Sequence, residues 1–295
     1  MDSLSHGRIA GQRPWRSFLF APANRPELTS KLTRSGPDAV VLDLEDAVPA
    51  AAKADARSLA AVAAPELARG EHPPAVLIRV NGTRTEWFDD DLASALVEGI
   101  SAIVVPKIES PEEVQSVRAR LDRIGATGIG IVAGIETVLG VADARTVLAT
   151  GVSAAYFGAE DFVTDLGGVR TPGNAEVAWA RAQVAVAARL GGVQLLDMVV
   201  ADIKDHDRFT AEAADARALG YSGKLCIHPG QVPLANAAFA PTEAEIDRAR
   251  RLLAAFDRSV ASGVAAIAFE GQMVDEPLAR RARQILAAAE RLTDD

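Results

Sequence analysis

Eight short apolar runs, each followed by a stretch long enough for a helix, constrain this chain more than any other feature of its sequence. They are Arg16–Pro22, Ala39–Asp46, Ala75–Gly82, Ala102–Glu109, Gly128–Glu136, Ala154–Asp161, Gln194–Val200 and Gly223–Pro229. Their centres lie 23 to 40 residues apart, room for one crossover helix and its loops. Within the runs apolar and polar residues hardly alternate, which marks parallel strands covered on both faces. Eight such units in series predict an α/β fold, a closed (β/α)8 TIM barrel with a C-terminal helical appendage.

The punctuation between the runs agrees. Ser110–Pro111–Glu112–Glu113 reads as a helix start: Ser as N-cap, Pro in the first turn, then acidic residues. Further helices are predicted over Ala175–Leu190, Ala211–Leu219, Pro241–Ser262 and Ala282–Leu292. Residues 1–15 read as a disordered tail, 16–240 as the barrel and 241–295 as a C-terminal extension. That extension holds a helix, a short apolar run at Ala265–Phe269, a loop and a last helix.

Charge and cysteine usage narrow the class. The net charge is −9 and no basic stripe stands out, so nucleic acid is not an expected partner. No segment is apolar for long enough to span a membrane, and residues 1–16 lack the apolar core of a secretory signal. The single cysteine, Cys226, has no partner for an internal disulfide and is placed mid-strand in the core. The expected location is the cytoplasm.

In a barrel of this kind chemistry sits at the C-terminal ends of the strands. Here those ends carry Asp43, Glu45 and Asp46 (run 2), Arg79 (run 3), Lys107 and Glu109 (run 4), Glu136 (run 5), Glu160 and Asp161 (run 6) and His228 (run 8). Carboxylates that converge on one mouth repel unless a cation lies between them. Two readings follow from position alone: a salt-bridge network capping the barrel, or a hard-cation site for Mg2+ or Mn2+. Lys107 and Glu109 are expected to pair with each other. The other chemistry open to Lys107 is that of a desolvated, Schiff-base-forming lysine. His228 and Asp43 read as structural. Gly130 and Gly134 are expected to let a substrate approach the backbone, and the segment Gly167–Val169 with Thr171–Pro172 to add ligand contacts.

The chain also resembles the citrate lyase β-subunit-like family, within the wider HpcH/HpaI aldolase and citrate lyase group. The matching segments are RSFLFAPANRPELTSK, VVLDLEDAVP followed by Lys53 and Arg57, LIRVNG, VVPKIESPEEV, GIETVLG, FGAEDF, LCIHPGQV and AFEGQMVDEPLARRA. Each alone is weak; eight in order over residues 14–292, each on its predicted barrel element, are specific.

The resemblance implies a Mg2+-dependent lyase that cleaves or forms a carbon–carbon bond in a 3-hydroxyacyl-CoA such as malyl-, citramalyl- or 3-hydroxy-3-methylglutaryl-CoA. The products are an acyl-CoA and a 2-oxo or related acid. It implies Glu136 and Asp161 as metal ligands, with Mn2+ as a substitute ion, and Arg79 as the catalytic and substrate-holding arginine. Glu45 and Asp46 would orient metal-bound water and Arg79, while Arg16, Arg25 and Lys31 would bind the CoA phosphates. Asp275 would be the acid/base at the thioester α-carbon, acting in a neighbouring subunit of a homotrimer or hexamer. Read from residues alone, Asp275–Glu276–Pro277 is instead a helix opening. Two other functions stay open: a CoA-independent pyruvate or oxo-acid aldolase, and a subunit of a citrate lyase complex acting on an acyl-carrier-protein thioester.

Overall fold

Eight parallel strands close on themselves in the order β1 to β8, each hydrogen-bonded to the next and β8 to β1. The structure is a computed structural model, and it describes residues 14–94 and 97–293. The strands are β1 (Ser17–Pro22), β2 (Ala39–Asp43), β3 (Ala75–Arg79), β4 (Ile100–Val105), β5 (Gly130–Ile135), β6 (Ala154–Phe157), β7 (Gln194–Asp197) and β8 (Gly223–Cys226). The helices of the barrel are α1 (Pro26–Thr29), α2 (Lys53–Leu67), α3 (Phe88–Ser94), α4 (Pro111–Arg123), α5 (Val138–Ala142), α6 (Ala144–Val147), α7 (Ala159–Leu166), α8 (Ala178–Gly191), α9 (His206–Leu219) and α10 (Val232–Ala238). The expected TIM barrel is what the chain forms.

All eight apolar runs contain a strand, and all but the first stop short of the end of the run. β2 ends at Asp43, so Glu45 and Asp46 stand on the loop beyond it. β6 ends at Phe157, which puts Asp161 in the first turn of α7.

Period-two geometry decides which residues fill the barrel. Phe18, Val41, Leu77, Val104, Val132, Tyr156, Leu196 and Leu225 form one buried cluster in its interior. The alternate residues Val40, Leu42, Ile78 and Ile103 are also fully buried, on the faces that the helices cover. Trp15, expected in the tail, joins the interior cluster at 4% exposure and lies 5.6 Å from the Phe18 ring. Its indole has enough apolar area to plug the barrel floor, and that burial fixes the chain before β1. Pro14 is half-buried, and residues 1–13 of the expected tail lie outside the described residues.

The helix signals act as expected where they were visible. Ser110 accepts a hydrogen bond from the Glu113 N–H, and Val114, Val117 and Leu121 bury one face of α4. α9 begins five residues before the predicted Ala211, because Asp205 caps it by accepting from the Arg208 N–H. The glycines after α8 and α9, Gly192 and Gly220, take left-handed conformations that end those helices.

The chain divides into two units after Ala237. The second contains α11 (Glu243–Ala261), β9 (Ile267–Phe269), β10 (Gln272–Val274) and α12 (Glu276–Thr293). A Thr242/Glu245 capping box opens α11. β9 and β10 pair antiparallel through Glu270 and Gly271, both at positive φ, as a two-residue hairpin requires. Leu252, Phe256, Val274, Ala279 and Ala282 form the unit's own core.

Candidate active site

Strand register builds the mouth of the barrel. Val41 and Leu77 point inward, so Asp43 and Arg79, two residues on, do too, and they are directly paired across β2 and β3. The Arg79 guanidinium donates from Nε and Nη2 to the two Asp43 carboxylate oxygens, both at 2.7 Å. Its Nη1 lies 2.9 Å from Glu45 Oε2, and Phe20 lies under it at 5.2 Å. Burial alone would lower the Arg79 pKa, but the bond to Asp43 and the charges of Asp43 and Glu45 raise it well above its ordinary value. The bidentate clamp fixes a permanent cation at the floor of the mouth. Asp43, read from sequence as merely structural, is the residue that aims it.

The loop after β2 is tied down from below. Lys53, itself buried, donates to the Leu44 and Glu45 carbonyls at 2.8 and 3.1 Å. Glu45 then accepts from Lys107 Nζ at 2.7 Å. Lys107 Nζ also lies 3.3 Å from Asp161 and 3.7 Å from Asp46. The expected Lys107–Glu109 pair does not form: Lys107 has φ 54°, which turns its side chain over the mouth, and Glu109 pairs with Arg84 instead. Burial works to lower the Lys107 pKa. The hydrogen bond and charge of Glu45, with Glu136 and Asp161, win and raise it, and the ion pairs to Glu45, Asp161 and Asp46 make Lys107 an ion-pairing group rather than the desolvated lysine a Schiff base needs.

Glu136 follows β5 on the same inward face and is buried. It does not cap α5; Thr137 does, by accepting from the Gly140 N–H. Its Oε1 accepts from the Lys107 backbone N–H at 3.0 Å. Gly158 makes its place: a Cβ there would lie 2.3 Å from Glu136 Oε2. Burial first, then the Glu45 and Asp161 charges, push the Glu136 carboxyl up to about 7. Tyr156 completes the floor, its buried hydroxyl lacking a well-formed hydrogen bond.

This donor set fits a hard divalent cation. Glu136 and Asp161 come from adjacent elements after β5 and β6, and the Asp161 charge reaches Glu136. Among the described residues no three His, Cys, Asp or Glu side chains gather closely enough to enclose an ion. Two carboxylates with open positions beside them are what Mg2+ accepts, keeping water or substrate oxygens in the rest. The surplus negative charge that raises Glu136 is what such an ion would offset.

One expected binding residue sits elsewhere. Arg16 precedes β1 at the opposite, N-terminal end of the barrel. There its Nε and Nη2 donate to Asp38 at 2.8 Å each, so it does not join a cationic patch at the mouth. Arg25 and Lys31 do follow β1, exposed, with Arg25 against Glu27. Gly134 is not open to a substrate: a Cβ there would lie 2.5 Å from Tyr156 Oη, so a phenol fills that space. His228 is structural, its Nδ1 accepting from the Gly230 N–H at 3.0 Å. Cys226, expected mid-strand, is the last residue of β8 and fully buried, which pushes its thiol up to about 12. Asp275 stands between β10 and α12, partly exposed.

Sequence reasoning missed Tyr156 and Arg170. Tyr156 is hidden in an apolar strand run, where its ring reads as core. Arg170 lies in the loop after α7; it donates to Glu160 at 2.9 Å, to Asn174 at 3.1 Å and to Glu176, so it ties that loop to the helix carrying Asp161.

Residues 16–229 match the family model described as HpcH/HpaI aldolase/citrate lyase. The chain belongs to this family. It is 52% identical over 275 residues to a citrate lyase subunit beta-like protein of Deinococcus radiodurans, covering 92% of this chain and 96% of that one. It is 30% identical to the mitochondrial citramalyl-CoA lyase of Mus musculus, over 98% and 89% of the two chains. The crystal structure of CitE from Mycobacterium tuberculosis, in complex with magnesium, acetoacetate and coenzyme A, superposes with a TM-score of 0.77. That chain is 32% identical, with 96% of this chain and 99% of the other covered. Every motif through IHP lies inside the matched segment; Asp275 lies beyond it.

Proposed function

We propose that this family member is a Mg2+-dependent carbon–carbon lyase acting on a 3-hydroxyacyl-CoA of the malyl, citramalyl or 3-hydroxy-3-methylglutaryl type. The observation that carries this reading is the gathering of Glu136, Asp161 and the Asp43-clamped Arg79 at one barrel mouth. Glu136 and Asp161 hold the ion. When bound, Mg2+ supplies a Lewis acid that polarises the reacting oxygen. Arg79 donates to the same region and stabilises charge that develops on substrate oxygen. As the hydroxyl gives its proton to solvent water and the carbonyl forms, the carbon–carbon electron pair passes to the thioester as its enolate. Asp275, from a neighbouring copy in a homotrimer or hexamer, protonates the enolate carbon; in the reverse direction it removes that proton. Arg25 and Lys31 take the CoA phosphates, now without Arg16. The proposed location is the cytoplasm, and the lyase reading is supported by the likeness to a citramalyl-CoA lyase.

The test incubates the purified protein with Mg2+ and malyl-, citramalyl- and 3-hydroxy-3-methylglutaryl-CoA, and measures the released oxo acid with and without EDTA. Release abolished by EDTA, and by Glu136→Gln or Asp161→Asn, is expected. No release from any thioester, together with cleavage of free hydroxy-oxo acids, would replace this function by a CoA-independent aldolase.

A further inference from the structure

Lys107 occupies an unusual place in this mouth. Its backbone is in the left-handed region at φ 54°, one of few non-glycine residues there, and a lysine gains nothing locally from that conformation. Two bonds hold the turn: the Lys107 N–H to Glu136 Oε1 at 3.0 Å and the Ile108 N–H to the Gly134 carbonyl at 3.0 Å. The result is an ammonium set among three carboxylates, Glu45 at 2.7 Å, Asp161 at 3.3 Å and Asp46 at 3.7 Å. One of the three, Asp161, is a proposed ion ligand; the other two are not.

We propose that the Lys107 ammonium is a resident monovalent cation that competes with the divalent ion for Asp161. It neutralises Asp161 beside Glu136 in the ion-free protein, and it withdraws onto Glu45 and Asp46 as the ion binds. Lys107 therefore weakens ion binding while keeping the mouth assembled. This is the opposite of what a side chain that merely braces the ligands would do. Glu45 and Asp46 acquire a definite task, as the counter-charges that receive the displaced ammonium. The inference rests on Glu136 and Asp161 being the ion ligands.

Mn2+ titration followed by electron paramagnetic resonance measures the ion's affinity without substrate or turnover. Lys107→Gly removes the ammonium, keeps the N–H that bonds Glu136, and suits the positive φ, so this variant retains the turn. It is expected to bind Mn2+ about tenfold more tightly than the unaltered protein, because a like charge close to the ion is gone. Lys107→Arg, which keeps the charge, should return the affinity close to its original value. Glu45→Gln, which removes one receiving carboxylate, should weaken binding. Equal or weaker binding in a folded Lys107→Gly variant overturns the competition. Absence of Mn2+ binding in the unaltered protein would instead overturn the assignment of Glu136 and Asp161.

Discussion

Gly134 and Tyr156 share one space at the floor of the mouth, and neither is intelligible alone. A strand glycine next to a motif glutamate reads as a path for substrate. The cross-strand neighbour on β6 decides otherwise, since its phenol lies where a side chain on Gly134 would be. Gly134→Ala should therefore destabilise the fold by about 1–3 kcal/mol through overpacking, measured as a lower urea midpoint at unchanged slope. A midpoint equal to that of the unaltered protein would mean that Tyr156 swings aside freely. The same scale shows what motifs reveal. Glu136, Arg79 and Asp161 stood out as charges at the ends of apolar runs, which are either paired in a salt-bridge network or gathered around a cation; the family resemblance singled them out from the other charges there. Arg16, expected from the resemblance to bind CoA, adjoins its strand at the N-terminal end, opposite the mouth, where it pairs with Asp38.

Between the barrel wall and its helices lies a charged cluster that the apolar pattern conceals. Lys224 of β8, fully buried, donates to Asp197 of β7 at 2.6 Å and lies 3.5 Å from Glu212 of α9. Arg181 of α8 reaches Asp197 at 3.0 Å, and Asn174 donates to Glu212 at 2.9 Å. Leu196 and Leu225 face the barrel interior, so the neighbouring Asp197 and Lys224 face outward under α8 and α9. Lys224→Met leaves Asp197 and Glu212 short of positive charge in a dry layer. It should cost about 3–5 kcal/mol of stability in a denaturant titration. A loss below about 1 kcal/mol would show that Arg181 alone compensates Asp197. In the sequence Lys224 is one polar residue in GKLC, and nothing local says that its partners come from two other elements.

The largest scale concerns copies of the chain. If Asp275 serves a neighbour, two defects placed on different chains can complement. Mixed oligomers assembled from Asp275→Asn and Glu136→Gln chains, each inactive alone, should recover thioester cleavage at about one site in four, the random share for a symmetric assembly. No recovery in verified mixed oligomers would confine Asp275 to its own chain or remove it from the reaction. At this scale the described residues also contain no helix long and apolar enough to cross a membrane.

The repeating apolar run by itself determined the eight-stranded barrel, because strand length and crossover length are local quantities that each β–α unit carries within its own residues. The family resemblance singled out Glu136, Asp161 and Arg79 as the residues to watch. Only the tertiary structure decided who pairs with whom: Arg79 with Asp43, Lys107 with Glu45 and Asp161, Arg16 with Asp38, and Tyr156 over Gly134. Those pairings depend on strand register and on which end of a strand a residue occupies. Both are set when the barrel closes, by contacts between residues far apart in the chain.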